Sequence, residues 1–146
     1  SERLSEAASD YERMKKAAAQ IREQPLRAEC SDLVNLAGNI LKYLTDNPEK
    51  ITAARRYIDY YQETAANVLG HYIELKKTGL STSETEKILR RTQESVATLK
   101  AAFNMQFEKL MQNELLDMEA DLKLLKQTLR SEGYREPEKK GHETSK

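Results

Sequence analysis

Ile51, Ala54, Ile58, Tyr61, Ala65, Val68, Tyr72 and Leu75 follow one another at intervals that alternate between three and four residues. Such spacing holds apolar side chains on one stripe of an α-helix, whereas a strand, with its period of two, would scatter them over both faces. The same alternation recurs along most of the chain. Leu4, Ala7, Tyr11, Met14, Ala18 and Ile21 form one seam, and Leu26, Cys30, Leu33, Ala37, Ile40 and Leu44 form another. A long last seam reads Leu89, Thr92, Val96, Leu99, Phe103, Phe107, Met111, Leu115, Met118, Leu122, Leu125 and Leu129. Between Leu99 and Leu115 its steps are all four, so a supercoil is expected to straighten there. The chain therefore reads as all-α: an elongated antiparallel, coiled-coil-like bundle of three to four helices with a long C-terminal helix.

Punctuation residues place the helix ends. Pro25 removes one helical hydrogen bond and crowds the carbonyl of Ile21, so helices are expected over about 4–23 and 26–46. In Asn47-Pro48 the asparagine suits an N-cap and the proline the first helical position, which opens a third helix over 48–78. Gly79 suits that helix's C-terminal end. Ser83 to Glu86 fits a capping box, opening a helix that meets no Gly or Pro until about residue 132. Residues 1–133 form one helical domain in this reading. Residues 134–146, polar and aperiodic and including His142, read as a disordered tail. The fourth helix outruns the third over roughly 113–132, and the overhang still carries Leu115, Met118, Leu122 and Leu125. An apolar stripe must be covered, so the first helix, a second copy of the chain or another protein is expected to cover it; the alternative is a break near Gln112-Asn113 with the last segment folding back.

Composition limits the function classes. Lys plus Arg number 24 and Asp plus Glu also 24, so no basic surplus exists to neutralise phosphates and nucleic acid is not an expected partner. The single cysteine, Cys30, allows no internal disulfide and sits in an apolar seam, the usual place of a small core residue. No run approaches the roughly 18 apolar residues of a membrane span. The chain opens on Ser1 rather than Met and helical patterning begins at Leu4, so it reads as part of a longer protein.

The densest chemistry lies in Ala53-Ala54-Arg55-Arg56-Tyr57-Ile58-Asp59-Tyr60-Tyr61. Arginines beside tyrosines invite a phosphate or an anionic lipid. The register argues otherwise, because Ala54, Ile58 and Tyr61 belong to the seam, Tyr57 flanks it, and Arg55 and Arg56 face outward. Arg55 with Asp59 and Arg56 with Tyr60 are spaced for ordinary pairing along one helix surface. Anion sites gain most at helix N-termini, and these arginines lie two turns inside. Arg55, Arg56, Tyr57, Tyr60 and Tyr61 are therefore candidate surface residues. Glu114, Asp117 and Asp121 share one helix flank, suited to a basic partner better than to a metal, which needs more converging ligands. His71 has Val68 three residues before it where a di-iron bundle needs Glu. No Walker loop, Cys-x5-Arg loop or Gly-x-Ser-x-Gly is present, so no catalytic residue, metal site or cofactor is assigned.

Several motifs together resemble the XpaC family, labelled 5-bromo-4-chloroindolyl phosphate hydrolysis protein. They are Pro25-Leu26-Arg27, Ile40-Leu41, Pro48, Ala54-Arg55-Arg56-Tyr57, Tyr60-Tyr61 and Thr64, with a terminal segment from Phe107 to Gly133. The likeness runs over about residues 20–133. It implies a connection with hydrolysis of a chromogenic phosphate ester, and the alternative that the chain is itself the phosphoesterase. It also implies a place in the cytoplasm, at the inner membrane face through a hydrophobic segment outside this chain, and a toxic-anion (tellurite) resistance protein as partner.

Overall fold

The computed structural model describes residues 1–135 and 137. The helices are α1 (Glu2–Ala18), α2 (Leu26–Asp46), α3 (Glu63–Thr78), α4 (Ser83–Leu110) and α5 (Gln112–Ser131). A 3-10 turn, Pro48–Lys50, and a π-helical segment, Tyr57–Gln62, lie between α2 and α3. The described residues contain no strand, and the fold is an all-α bundle. By its internal contacts the chain divides into two units, Ser1–Leu110 and the residues from Met111 onward. The expected tail beyond residue 135 lies, apart from Pro137, outside the described residues, as does His142.

Local chemistry explains where the helices begin and end. Ser1 caps α1, its Oγ accepting from the Leu4 amide at 3.2 Å. α1 stops at Ala18, five residues before the expected end, yet Ile21 beyond it is still buried. Asn47 closes α2 instead of capping the Pro48 turn, its Nδ2 donating back to the Tyr43 carbonyl at 2.9 Å. Gly79, at φ 72°, supplies the left-handed residue that ends α3, a conformation costly for any residue with a Cβ. The start of α4 departs from the expected Ser83–Glu86 box. Thr82 and Thr85 cap one another: the Thr85 amide donates to Thr82 Oγ1 at 3.2 Å and the Thr82 amide to Thr85 Oγ1 at 2.8 Å. The buried Thr85 hydroxyl does the work expected of the Glu86 carboxylate.

The single helix expected over 48–78 is not one helix. After the 3-10 turn, residues 51–54 form turns, and the backbone widens to the π form over Tyr57–Gln62 before α3 begins. The packing gives the reason. The π segment touches both α1 and α4, and it buries Tyr57, Ile58 and Gln62. Adding a residue per turn spreads its buried side chains over a wider arc than an α-helix allows. Tyr57 meets Phe103 of α4 edge to face, ring centroids 5.1 Å apart. Gln62 reaches the other neighbour, its Nε2 donating to the Ala7 carbonyl of α1 at 2.8 Å.

α1 packs on α2 and α3, and α2 packs on α4, whereas α3 and α4 share little although they are consecutive. The core is continuous through unit one: Met14 from α1; Leu33, Ile40 and Leu44 from α2; Leu69 from α3; Val96 and Phe103 from α4. Each such side chain removed from water contributes roughly 1.5–3 kcal/mol. Tyr43 and Phe107 also meet edge to face, at 5.6 Å. At the end of α4 the Leu110 carbonyl accepts from Lys50 Nζ at 3.1 Å and from Tyr43 Oη at 3.4 Å. The expected unbroken helix over 83–132 is interrupted at Met111, where φ is −96° and ψ 15°.

Gly38 of α2 lies against the Tyr11 side chain of α1. A Cβ there would lie 3.1 Å from Tyr11 Oη and 3.2 Å from its ring. Gly38→Ile is expected to cost about 1–3 kcal/mol by overpacking, read as a lowered thermal midpoint by circular dichroism. Gly38→Ala should lose less, because its helix propensity gain of about 1 kcal/mol offsets a small shift of the half-buried Tyr11. A Gly38→Ile protein as stable as the parent would mean that Tyr11 is not held against α2.

Candidate functional site

The Arg-Tyr stretch runs from the turn that ends at Ala54 through the α-helical Arg55 and Arg56 into the π segment. Arg55, Arg56 and Tyr60 are exposed, and Tyr61 is half-buried. The Arg56 guanidinium lies over the Tyr60 ring, 4.5 Å from its centroid, and 5.6 Å from that of Tyr61. The two tyrosine rings stand edge to face at 5.1 Å. Stacking of this kind orients a guanidinium at an exposed site for about 0.5–1 kcal/mol.

Two expectations for this stretch need correction. Tyr57 is no surface residue: it is 1% exposed, packed on Phe103, and its hydroxyl finds no hydrogen-bond partner. Burial raises the pKa of that phenol above its ordinary value. Asp59, in turn, is hydrogen-bonded to an arginine of another helix rather than to one of its own. Arg3 of α1 donates to both carboxylate oxygens, at 3.1 and 2.8 Å. That bond holds Asp59 below the usual carboxylate range, with desolvation opposing and the charges of Arg3 and Arg55 assisting. The pairing joins residues 56 apart in the chain, so no local spacing could disclose it.

The crossing of α1 over the π segment gathers carboxylates that sequence spacing also hides. Glu6, Asp10, Asp59 and Glu63, with Ser9 and Ile58, line a groove of about 270 Å³. Asp59 is engaged by Arg3, and Asp10 by Arg13 at 2.8 Å. Among the described residues no three His, Cys, Asp or Glu side chains are grouped as metal ligands. Cys30 is fully buried in α2, and burial pushes its thiol up to about 12. A thiol so shielded is no nucleophile at neutral pH. His71 is exposed on α3.

α5 differs in character from every other helix. None of its residues is buried. Leu115, Leu116, Met118, Leu122, Leu124, Leu125 and Leu129 are all exposed, from 39% for Leu129 to 62% for Leu124. Leu115, Met118, Leu122 and Leu125 are the seam residues read from the sequence; Leu116 and Leu124 lie off that seam and add a second apolar stripe. Glu114 is half-buried, and Asp117 and Asp121 are exposed beside the seam. Past α5, Gly133 adopts φ 92° and the Tyr134 amide returns to the Leu129 carbonyl at 2.9 Å. This reversal helps to form an open groove of about 560 Å³ lined by Leu122, Leu125, Lys126, Leu129, Arg130, Tyr134, Arg135 and Pro137.

The Arg-Tyr cluster is a small polar patch tied into the core through Tyr57, and α5 is an apolar stripe flanked by charge. No helix among the described residues is long and apolar enough to cross a membrane. The model of a family described as 5-bromo-4-chloroindolyl phosphate hydrolysis protein matches residues 1–125. Comparison with curated proteins and with solved structures finds no match.

Proposed function

The chain belongs to the 5-bromo-4-chloroindolyl phosphate hydrolysis, or XpaC, family, and on that footing we propose that it is a non-catalytic helical interaction module. The observation that supports this is α5, with seven large apolar side chains exposed along twenty residues. An apolar helix face of that extent is a binding surface. In this reading the phosphate-ester phenotype in the family's name arises through a protein that the module holds. A toxic-anion resistance protein at the cytoplasmic face of the membrane is the partner that the family resemblance suggests. The Arg55–Tyr61 stretch then serves to seat the π segment between α1 and α4, with Arg56 stacked outside.

The rival reading, a phosphoesterase, makes a direct prediction. Purified protein is incubated with 5-bromo-4-chloroindolyl phosphate, with and without added divalent metal ions. The expected result is no turnover above the buffer rate. Metal-dependent turnover that disappears in Arg55→Ala or Asp59→Ala would overturn the proposal.

A further inference from the structure

We propose that the furrow between α3 and α4 takes α5 of a second copy of this chain, through the stripe Leu116, Ala120 and Leu124. This rests on the reading of the chain as an interaction module and names an occupant for one face of α5. The seam of Leu115 to Leu129 lies on the opposite face and is not used. The packing of unit one leaves the place. α1 packs on α3 and on α2, and α2 packs on α4, but α3 and α4 share little. Gln93 Nε2 donates to Tyr72 Oη across that side at 3.3 Å. Along the same side runs an apolar furrow, with Tyr72 and Leu89 buried at its floor and Val68, Leu75, Ile88 and Thr92 as its walls.

Length, shape and charge choose the occupant. The furrow holds about 380 Å³. It continues along α4 to Ser95 as a groove of about 260 Å³ that shares Val68, Ile88 and Thr92 with it. Val68 and Leu75, like Ile88 and Ser95, are seven residues apart, about 10 Å of helix. Leu116 and Leu124 are eight apart, about 12 Å, so the two leucines enter the two ends. Ala120 between them is small, and there the incoming backbone can pass Ile88, which stands 42% exposed. His71 and Arg91 line the furrow, and among the described residues no carboxylate does. The Arg91 guanidinium has no ion pair among the described residues. Asp117 and Asp121 follow Leu116 and Ala120 directly, exposed along one edge of the stripe and likewise without an ion pair among the described residues.

Charge also sets the direction of the incoming helix. Asp117 and Asp121 flank the stripe on one side and Lys123 on the other. Running parallel to α4, the incoming helix turns its two aspartates toward Arg91 and Lys123 toward α3. Running the other way, it sets Lys123 over Arg91, like charge on like, which selects against that direction. The two surfaces in contact are different, so the contact is heterologous and joins copies head to tail. Each chain offers one furrow and one helix.

The test is sedimentation equilibrium of the full chain from about 10 to about 500 µM, the range that suits an interface below about 1,200 Å². The parent should self-associate. Ile88→Glu and Leu124→Glu should each be monomeric, with helicity and melting unchanged because both side chains are exposed. An equimolar mixture of the two should form one-to-one dimers and nothing larger, because each supplies the surface that the other lacks. Leu122→Glu, on the opposite face of α5, should associate like the parent. Arg91→Glu and Asp121→Arg should each weaken association about fivefold, the effect of turning an attractive surface pair into a repulsive one. The double variant should recover to within about twofold of the parent. A parent monomeric at about 500 µM, a mixture that stays monomeric, a monomeric Leu122→Glu protein, or a double variant as weak as the singles would each overturn the contact. A monomeric parent that is also silent in the ester assay overturns this contact alone. Turnover in that assay overturns the interaction-module reading on which it rests.

Discussion

Phe103→Ala is expected to cost about 3–5 kcal/mol of folding free energy, which for a chain of this size lowers the thermal midpoint by roughly 10–20 °C. Phe103 is fully buried on α4 and meets Tyr57 of the π segment edge to face. Truncation removes the ring that fills the space between two elements and leaves a cavity neither can close, because the π segment is also held to α1 through Gln62. Urea unfolding followed by circular dichroism measures the loss. Tyr57→Phe provides the control: it keeps the ring and removes a buried hydroxyl that has no hydrogen-bond partner. Its stability should stay within about 1 kcal/mol of the parent or exceed it, since nothing is left unpaired by the change. A Phe103→Ala loss below about 1 kcal/mol would mean that this contact does not anchor the segment.

The second large effect is a fall in stability on the alkaline side. Burial raises the Cys30 thiol from its ordinary 9.0 to about 12, and raises the Tyr57 phenol above its ordinary 10.0. Both groups keep their protons in the folded chain over a range in which the unfolded chain has lost them. The unfolded state therefore binds fewer protons, and stability falls as pH rises. The contribution is complete below about pH 9, begins to fall as the unfolded thiol ionises, and steepens past 10 as the phenol joins it. Each group adds a slope of up to about 1.4 kcal/mol per pH unit. Urea midpoints at several pH values between 7 and 11 (roughly the span of the two ordinary values) should show the fall. Cys30→Ala should delay its onset and Tyr57→Phe should blunt its later part. A flat profile in the parent protein would contradict the burial of both groups. On the acid side Asp59 and Glu23 are held low, first by hydrogen bonds from Arg3 and Lys76 respectively. Their contribution is lost as pH falls through the carboxylate range, and both lie at the surface, where water screens most of it.

How much of this was legible in the sequence depends on how many neighbours a helix has to satisfy. All six seam residues of α2, from Leu26 to Leu44, are buried. One narrow stripe suffices there, and a strict three-four alternation describes it. The seam read over residues 51–75 fared differently. Ala54, Ile58, Ala65 and Tyr72 are buried as expected, but Ile51, Tyr61, Val68 and Leu75 are only half so, while Tyr57, Gln62, Ala66, Leu69 and Ile73 are buried instead. A segment wedged between α1 and α4 buries a wide arc, and the π turn shifts the phase by one residue within it. Nothing in a periodicity of 3.6 signals that insertion. In α4 the run of steps of four ends early for a related reason: Leu110 is buried, and the seam's next residue, Met111, lies where the helix is interrupted.

The candidate surfaces divide along the same line. Exposure of Arg55, Arg56 and Tyr60 follows from local register and was readable, whereas that of Leu116 and Leu124 was not, because both lie off the α5 seam. The Arg3–Asp59 bond, the Gln62–Ala7 bond and the carboxylate groove at Glu6 and Glu63 join parts of the chain more than fifty residues apart. Spacing within one helix carries no information about them, because they depend on which helices cross. Family resemblance was legible for another reason: it draws on short motifs scattered over several helices, each uninformative alone.

The hold that Lys50 and Tyr43 keep on the Leu110 carbonyl has a mechanical side. A pull applied through α5 finds no buried residue in that helix to resist it. At Leu110 the load passes to a carbonyl gripped by α2 and the 3-10 turn, and from there to Phe107 and Phe103 in the core. Resistance to unravelling therefore rises in a single step, and that step lies at one identifiable peptide.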